Sequence, residues 1–110
     1  MEQESILIEL FGHTPELRVL DFLLDNNIFD YTKTEIARGA NITRPTLYRF
    51  WEKLEKAGLI IKTRKINRTQ LYKINLESSI INKIMEIEMK ASLKEVVTKR
   101  QKIEPVPVRV

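Results

Sequence analysis

The side chains most capable of chemistry in this chain are arginines and lysines, and they are concentrated in its middle third. Residues 41–74 contain nine Lys or Arg and two Glu, whereas residues 1–40 contain three Lys or Arg and eight Asp or Glu. Residues 75–110 are only slightly basic, with seven against five. A basic block within an otherwise acidic or mixed chain is typical of a surface that binds a polyanion. The alternative is a solvated, lysine-rich face, and the charge distribution favours the polyanion.

The sequence offers little for other kinds of chemistry. It has no cysteine, which excludes disulfides and thiolate metal sites. Its one histidine, His13, is expected at a helix cap or on the surface rather than in a metal site. The sequence shows no nucleophile–base pair and no glycine-rich phosphate loop. We therefore expect no enzymatic activity, no metal and no cofactor.

Composition and the N-terminal segment indicate a soluble protein. Hydrophobic residues make up 43% of the 110-residue chain and charged residues 31%, which suits one globular domain with a tail. The first ten residues, MEQESILIEL, carry acids where a signal peptide carries bases. No stretch approaches the roughly 18 apolar residues of a membrane helix. We expect a cytoplasmic, nucleoid-associated protein with no membrane partner.

Three short helices are predicted before the basic block. The first spans residues 5–11, and the second begins at Pro15, a proline that follows a threonine N-cap. The third begins at Thr32, which forms a capping box with Glu35, and ends near residues 39–40.

A fourth, basic helix follows a turn at residues 40–42. Thr43 is its predicted N-cap, and Gly58 is placed to end it in a left-handed conformation. Its inner face is predicted from helical spacing and consists of Leu47, Phe50, Trp51 and Leu54. We therefore assign Trp51 to the core and not to a stacking platform. The outer face presents Arg44, Thr46, Tyr48, Arg49, Glu52, Lys53 and Lys56.

A hairpin and a long helix complete the predicted fold, which is mainly α with a small β-hairpin. Residues 59–64 and 70–74 have strand character, with a turn through Asn67 between them. The hairpin carries five basic residues and no acid. From Ile80 to Val97 the apolar residues recur with helical spacing over an unusually wide face.

Three stretches between residues 5 and 76 carry a resemblance to a known family: TPELRVLDFLLDN, TKTEIARGANITRPTLYRFWEKLEKAGLI and TRKINRTQLYKIN. Together they resemble the winged helix-turn-helix transcription regulators. They are most similar to small prokaryotic, especially archaeal, regulators akin to the arsenical-resistance and multiple-antibiotic-resistance repressors. The resemblance implies that the fourth helix is a recognition helix and that the hairpin is a wing. It identifies neither a subfamily nor an operator.

The resemblance and the charge pattern together predict an interface for double-stranded DNA. A recognition helix fits the major groove, where Arg49 could fork onto guanine and Tyr48 could pack on a thymine methyl group or bond a phosphate. The predicted contacts of this helix are Thr43, Arg44, Thr46, Tyr48, Arg49 and Lys53. The predicted wing contacts, to the backbone or the adjacent minor groove, are Lys62, Arg64, Lys65 and Arg68. Before the turn, Thr32 and Lys33 are expected near phosphate.

Each of these contacts has a simpler alternative. Tyr48 could pack on its own helix, and Arg49 and Lys53 could pair with neighbouring glutamates, although such surface pairs contribute little. Basic residues in a hairpin also protect an edge strand from aggregation. DNA is favoured because the helix and the hairpin come from different segments and carry charge of the same sign.

The last helix predicts a homodimer. Its apolar face is wider than one small domain can cover, so we expect it to pair with its twin, with or without the N-terminal helix. The predicted interface consists of Ile80, Ile81, Ile84, Met85, Ile87 and Ala91. The chain is thus divided into a DNA-binding domain at 1–76, a dimerisation helix at 77–102 and an extended or disordered tail at 103–110. The alternative is that this helix packs only across its own domain.

The leading functional hypothesis is a sequence-specific transcription regulator, most simply a homodimeric repressor. A DNA-binding protein without a regulatory role, in plasmid partition, replication or DNA architecture, is the second hypothesis. A winged helix that binds an acidic protein is the third. The sequence shows no effector site: Phe11, Phe22, Phe29, Trp51 and Met85 could line a pocket, but side chains of this kind at helical spacing usually form the core.

Overall fold

The computed structural model describes residues 6–103, which form five helices and one two-stranded antiparallel sheet. The elements in chain order are α1 (Ile6–Phe11), α2 (Pro15–Asp25), α3 (Lys33–Gly39), α4 (Arg44–Lys56), β1 (Ile60–Ile66), β2 (Thr69–Ile74) and α5 (Ser79–Ile103). The predicted mainly α fold with a small hairpin is confirmed. Ser5, predicted within the first helix, and residues 104–110, predicted as tail, lie outside the described residues.

Threonine side chains begin α2, α3 and α4, as predicted. Thr14 and Thr43 each accept a hydrogen bond from the amide three residues later, at 3.2 and 3.3 Å. At the start of α3 the capping box is complete. The Glu35 amide donates to Thr32 Oγ1 at 3.1 Å, and the Thr32 amide donates to Glu35 Oε1 at 2.9 Å. These bonds satisfy amides that have no acceptor within their own helix.

The helices α3 and α4 end in the same kind of turn. The second residue past each helix has a positive φ: Asn41, with φ 60°, and Gly58, with φ 76°. The amide that follows donates to a carbonyl five residues earlier, at 3.0 Å after α3 and 3.1 Å after α4. This is the Schellman arrangement, which satisfies the last helical carbonyls. The left-handed conformation was predicted at Gly58 but was missed at Asn41, where asparagine is the residue type that tolerates it next best.

The core lies between α2, α3, α4, β2 and the start of α5. Its largest fully buried side chains are Val19, Leu23, Ile36, Leu47, Ile74 and Ile81. The inner face predicted for α4 is confirmed, since all four of its members are buried. Trp51 is only 3% exposed, and its ring meets that of Tyr72 edge-on with centroids 4.8 Å apart. Trp51 is therefore a core residue, as predicted.

The hairpin and the last helix differ in extent from the prediction. β1 continues two residues past the predicted end at Arg64, so the connecting turn is tighter and is centred on Asn67, with φ 54°. The register is irregular between Lys62 and Lys65. α5 continues to Ile103, a residue that was assigned to the tail.

Ile81 was predicted in a dimer interface, and the structure contradicts that assignment. It lies in the first turn of α5, where the helix crosses the domain, and its side chain is fully buried in the core of its own chain. Ile84 and Met85 are half-buried and pack against the same core. Ile80 and Ile87, in contrast, are 49% and 43% exposed. The periodicity predicted an apolar helix but could not distinguish the apolar residues that face the core from those that are exposed.

None of the helices in the described part of the chain combines the length and the apolar composition that crossing a bilayer requires.

Candidate nucleic-acid interface

Two arginine side chains connect α4 and its preceding turn to neighbouring helices. Arg44, the first residue of α4, donates from Nη1 to Thr34 Oγ1 of α3 at 3.2 Å. Arg18 of α2 donates from Nη1 to the carbonyl of Asn41 in the turn at 3.4 Å. Exposed His13 lies near the same arginine, with its Nδ1 3.5 Å from Arg18 Nη2. The α3–turn–α4 unit is thus held by side chains as well as by its core.

The outer face of α4 presents a connected group of polar side chains. Thr43 Oγ1 donates to Thr46 Oγ1 at 2.8 Å, and Arg49 Nη2 donates to the same Thr46 oxygen at 3.4 Å. Arg44, Tyr48 and Arg49 are exposed, and half of the Tyr48 surface is open to solvent. The buried stripe on the opposite side fixes which way these side chains face. Donors on an exposed helix face are the groups that read base edges in a major groove.

The Lys33 side chain reaches from the first residue of α3 over three aromatic rings. Its Nζ lies 5.3 Å from the ring centroid of Tyr48, 5.2 Å from that of Trp51 and 5.6 Å from that of Tyr72. These distances are within the range of cation–π attraction. The neighbouring Thr32 is half-buried and uses its hydroxyl to cap α3.

Lys53 of α4 faces α2 and not the glutamates of its own helix. Its Nζ lies 3.7 Å from Glu16 Oε2, while Lys56 pairs with Glu52 at 3.3 Å. Both pairs are largely exposed, so they contribute little to stability and leave the lysines able to exchange partners. Lys53 therefore remains a candidate for phosphate at the edge of the outer face of α4.

In the wing, Arg64 is engaged within the protein. Its Nε and Nη2 donate to the two carboxylate oxygens of Asp30 at 2.9 and 3.2 Å, and Thr63 Oγ1 donates to Asp30 Oδ2 at 2.6 Å. Hydrogen bonds from Arg64 and then Thr63 lower the pKa of Asp30 from 3.8 to about 2. A bidentate pair of this kind occupies the fork that would otherwise hold a phosphate. Arg64 therefore anchors the wing to the segment before α3, whereas it was predicted only as a DNA contact.

A backbone bridge reinforces this anchor. The amides of Tyr31 and Tyr72 each donate to the other's carbonyl at 2.8 Å, so the segment before α3 pairs with β2. The other predicted wing residues, Lys62, Lys65 and Arg68, are exposed, and none of the ion pairs between described residues includes them. They are the wing charges available to a phosphate backbone.

Several residues that shape this surface were not predicted. Asp30, Thr63, Thr34 and Arg18 all act through contacts between distant segments, for example 34 residues apart for Asp30 and Arg64. A single sequence gives no signal for such pairings. Asn41 is different, since an asparagine one residue past a predicted helix end is a local signal for a left-handed turn.

Acidic groups collect where α2 meets α5. Burial, together with the charge of Asp21, raises the pKa of Asp25. Burial, together with the charges of Asp21 and Asp25, raises the pKa of Glu88. Asp21 Oδ1 is buried and has no hydrogen-bond partner among the described residues. The basic middle of the chain and this acidic junction are built from different elements.

Two exposed apolar stripes remain on α5. One contains the predicted interface residues Ile80 and Ile87, with half-buried Ala91 one turn further on, and the other contains Met89 and Leu93, which are 65% and 60% exposed. The helix α1, which contacts α5, also exposes Leu10 and Phe11 at its end.

No protein-family model matches the chain, and no curated protein matches it. Solved structures do match. NadR, in a complex with 4-hydroxyphenylacetate, is 25% identical with a TM-score of 0.58, over 89% of this chain and 71% of NadR. A ZitR variant from Lactococcus lactis in its apo form is 18% identical with a TM-score of 0.58, over 86% and 74% of the two chains. Sso10a-2, a DNA-binding protein from Sulfolobus solfataricus, is 17% identical with a TM-score of 0.51, over 84% and 96%.

These similarities establish the winged helix-turn-helix fold. The resemblance to winged helix-turn-helix proteins predicted from the sequence is therefore confirmed at the level of the fold. The chain spans 60% of the length of two other ZitR structures and 66% of the length of a third.

Proposed function

We propose that this protein is a sequence-specific transcription regulator that binds double-stranded DNA, and that it acts as a homodimeric repressor. α4 enters the major groove, and the hairpin contacts the backbone or the adjacent minor groove. The protein works in the cytoplasm, on the nucleoid, without enzymatic activity, metal or cofactor.

The observation that carries this proposal is the two-sided character of α4. Leu47, Trp51 and Leu54 are buried on one side, while Arg44, Tyr48 and Arg49 are exposed on the other. The first turn of the helix adds its amide dipoles to the arginine charge, which favours phosphate nearby. Arg49 has one partner among the described residues, a long bond to Thr46, so its guanidinium can turn to a base at little cost.

The flanking contacts divide into two groups. One group supplies phosphate contacts that position the protein without reading sequence. It consists of Lys62, Lys65 and Arg68 of the wing, with Thr43 and Lys53 beside the outer face of α4, which we call the groove face. Arg64 is reserved for Asp30, and so it supports the wing from within. This division revises the predicted wing set of four DNA contacts to three contacts and one anchor.

Dimerisation through α5 supplies the second half of the proposal. The two exposed stripes of α5, one with Ile80 and Ile87 and the other with Met89 and Leu93, are the apolar surfaces that a second copy would cover. Ile81 belongs to the core of each subunit. A two-fold dimer presents two recognition helices to two half-sites of a near-palindromic operator. Light scattering at micromolar concentration should give a mass of two chains, and a monomer would remove this part of the proposal.

Selection of bound fragments from a random pool of double-stranded DNA tests the function directly. The selection is run at about 150 mM salt, where nonspecific phosphate binding is weakened. A two-fold-symmetric motif is the expected result. Binding without a motif would favour an architectural or partition protein, and no retained DNA would favour the basic face as a protein-docking surface.

The selected site then tests the role of Arg49. Arg49→Ala should weaken binding to that site by about 1–3 kcal/mol and relax the base preference at one position. Lys56→Ala is the matched control, because Lys56 lies on the same helix, carries the same charge and is at the end far from the first turn. Equal affinities for wild type and Arg49→Ala would rule out the assigned role.

A further inference from the structure

The first residue of α3 is a lysine, which is an unfavourable place for a cation. The start of a helix carries partial positive charge, so acids are preferred there. The nearest acid on this helix, Glu35, is bound to the Thr32 amide in the capping box. None of the ion pairs between described residues includes Lys33. The ammonium is instead stabilised by the three rings of Tyr48, Trp51 and Tyr72, which we call the aromatic cage.

The rings of the aromatic cage differ in freedom. Trp51 and Tyr72 are buried and packed edge-on against each other. Tyr72 is also fixed through its backbone, which pairs with Tyr31 two residues before Lys33. Tyr48 is the exception, because it is 51% exposed on the outer face of α4. Two immobile rings therefore hold the ammonium, and the ammonium in turn restrains the third ring.

We propose that Lys33 is a positioning residue that fixes the Tyr48 ring on the groove face of α4 and thereby sets a base preference. This inference rests on the proposed function, and it replaces the predicted contact between Lys33 and phosphate. The aromatic cage connects α3, α4 and β2, so the lysine links the recognition helix to the second strand of the wing. The Lys33 ammonium remains in contact with the three rings when DNA binds.

Positioning and phosphate contact make different predictions for salt dependence. On duplex DNA, log affinity falls linearly with log salt, and each phosphate that the protein neutralises makes this slope steeper by about 0.9. A lysine that stays on aromatic rings adds nothing to that slope. It alters the preference between bases, because restraining the Tyr48 ring favours one base edge over the others.

The experiment compares Lys33→Met, Lys33→Arg and Lys65→Met with the wild type on the selected site and on its single-base variants. Met keeps most of the length and apolar body of lysine but removes the charge, whereas Arg keeps a cation that also stacks on aromatic rings. Lys65→Met is the matched control for a phosphate contact, since Lys65 is exposed in the wing. Thermal unfolding of each variant confirms that it is folded.

The expected result separates the two lysines. Lys33→Met should lower the base preference at one or two positions by about two- to fivefold, the size of an exposed cation–π interaction, with the salt slope unchanged. Lys33→Arg should restore the preference. Lys65→Met should lower the slope by about 0.9 with the base preference unchanged. In a Tyr48→Ala background, Lys33→Met should cause no further loss of preference.

A lower salt slope for Lys33→Met with an intact base preference would overturn the inference while leaving the proposed function in place. A measurement on the free protein tests the aromatic cage separately from the proposed DNA binding. Trp51 is the only tryptophan of the chain, and Lys33 Nζ lies 5.2 Å from its ring centroid. Lys33→Met should therefore change the tryptophan fluorescence of the free protein, whereas Lys65→Met should not. Identical spectra for wild type and Lys33→Met would refute the aromatic cage even if the protein binds DNA as proposed.

Discussion

The helix α4, which we propose as the recognition helix, and the wing both present basic side chains, but they are held in place by different kinds of contact. α4 is positioned by a threonine cap, a left-handed turn on each side and a continuous buried stripe. In the wing, β1 is buried only at Ile60 and exposed from Ile61 onward, and the buried residues of β2 are Leu71, Tyr72 and Ile74. Beyond that the wing depends on the Tyr31–Tyr72 bridge and on Asp30 bound to Arg64.

This difference indicates how the two surfaces behave. The outer face of α4 is as rigid as the core beneath it, because moving it would expose buried side chains. The wing is free to change its angle whenever the Asp30 anchor opens, because few buried contacts restrain it. A rigid helix suits base recognition, and an adjustable wing suits a backbone whose path varies with DNA sequence.

The largest expected effect comes from removing the support of α4. Leu47 is fully buried beneath the first turns of the helix, so Leu47→Ala should lower the free energy of unfolding by about 2–5 kcal/mol. The matched substitution in the wing is Ile61→Ala, which removes a side chain of similar size that is 42% exposed. It should change the free energy of unfolding by no more than about 1 kcal/mol. Chemical denaturation measures both.

Comparable losses for the two variants would contradict the distinction between a core-supported helix and a peripheral wing. A cost below about 1 kcal/mol for Leu47→Ala would contradict the burial assigned to it.

A second comparison uses the two asparagines with positive φ. Asn41 ends α3 with φ 60°, and Asn67 forms the hairpin turn with φ 54°. Asn→Gly should be tolerated at both positions, while Asn→Val should cost about 1–2 kcal/mol at each, because a β-branched side chain is strained there. At Asn41 this cost should appear in global unfolding. At Asn67 it should appear mainly as faster amide exchange in the hairpin, since the wing can open alone.

If Asn67→Val lowered global stability as much as Asn41→Val does, the wing would unfold together with the core and not separately.

The same contrast explains what the sequence could predict. The positions of α2, α3 and α4 were predicted correctly because their caps and turn residues, Thr14, Thr32, Thr43 and Gly58, interact with residues only a few positions away. The inner face of α4 was predicted correctly from the helical spacing of its apolar residues. Arg64 and Ile81 were assigned to contacts with other molecules because their charge and hydrophobicity are visible in the sequence, whereas their partners are not. Asp30 lies 34 residues from Arg64, and only the fold brings them together. Local signals therefore define the elements and their faces, and tertiary contacts decide which exposed-looking residues remain available.

The Asp30 anchor gives the smallest expected change in stability and the most specific test of the wing. Asp30→Asn should leave global unfolding almost unchanged, because the pair is exposed on the arginine side. It should increase amide exchange in β1 and the hairpin turn, because the amide of asparagine cannot accept both arginine donors. Arg68→Ala is the matched control, since it removes a wing charge without touching the anchor. Equal exchange in Asp30→Asn and wild type would show that the anchor does not restrain the wing.

The pKa of Asp30 adds a pH dependence with a defined sign. The pKa is lowered from 3.8 to about 2 in the folded protein, so the carboxylate contributes stability that is fully present above pH 3.8. That contribution is lost as the pH falls toward 2, where Asp30 takes up a proton and releases Arg64. The NMR signal of the Arg64 Nε proton should therefore be constant from neutral pH down to about 4 and should move with a midpoint near 2. In Asp30→Asn the same signal should show no such transition. A midpoint near 4 in the wild type would mean that the bidentate contact is not held in solution, and the wing would then be attached only through β2 and the Tyr31–Tyr72 bridge.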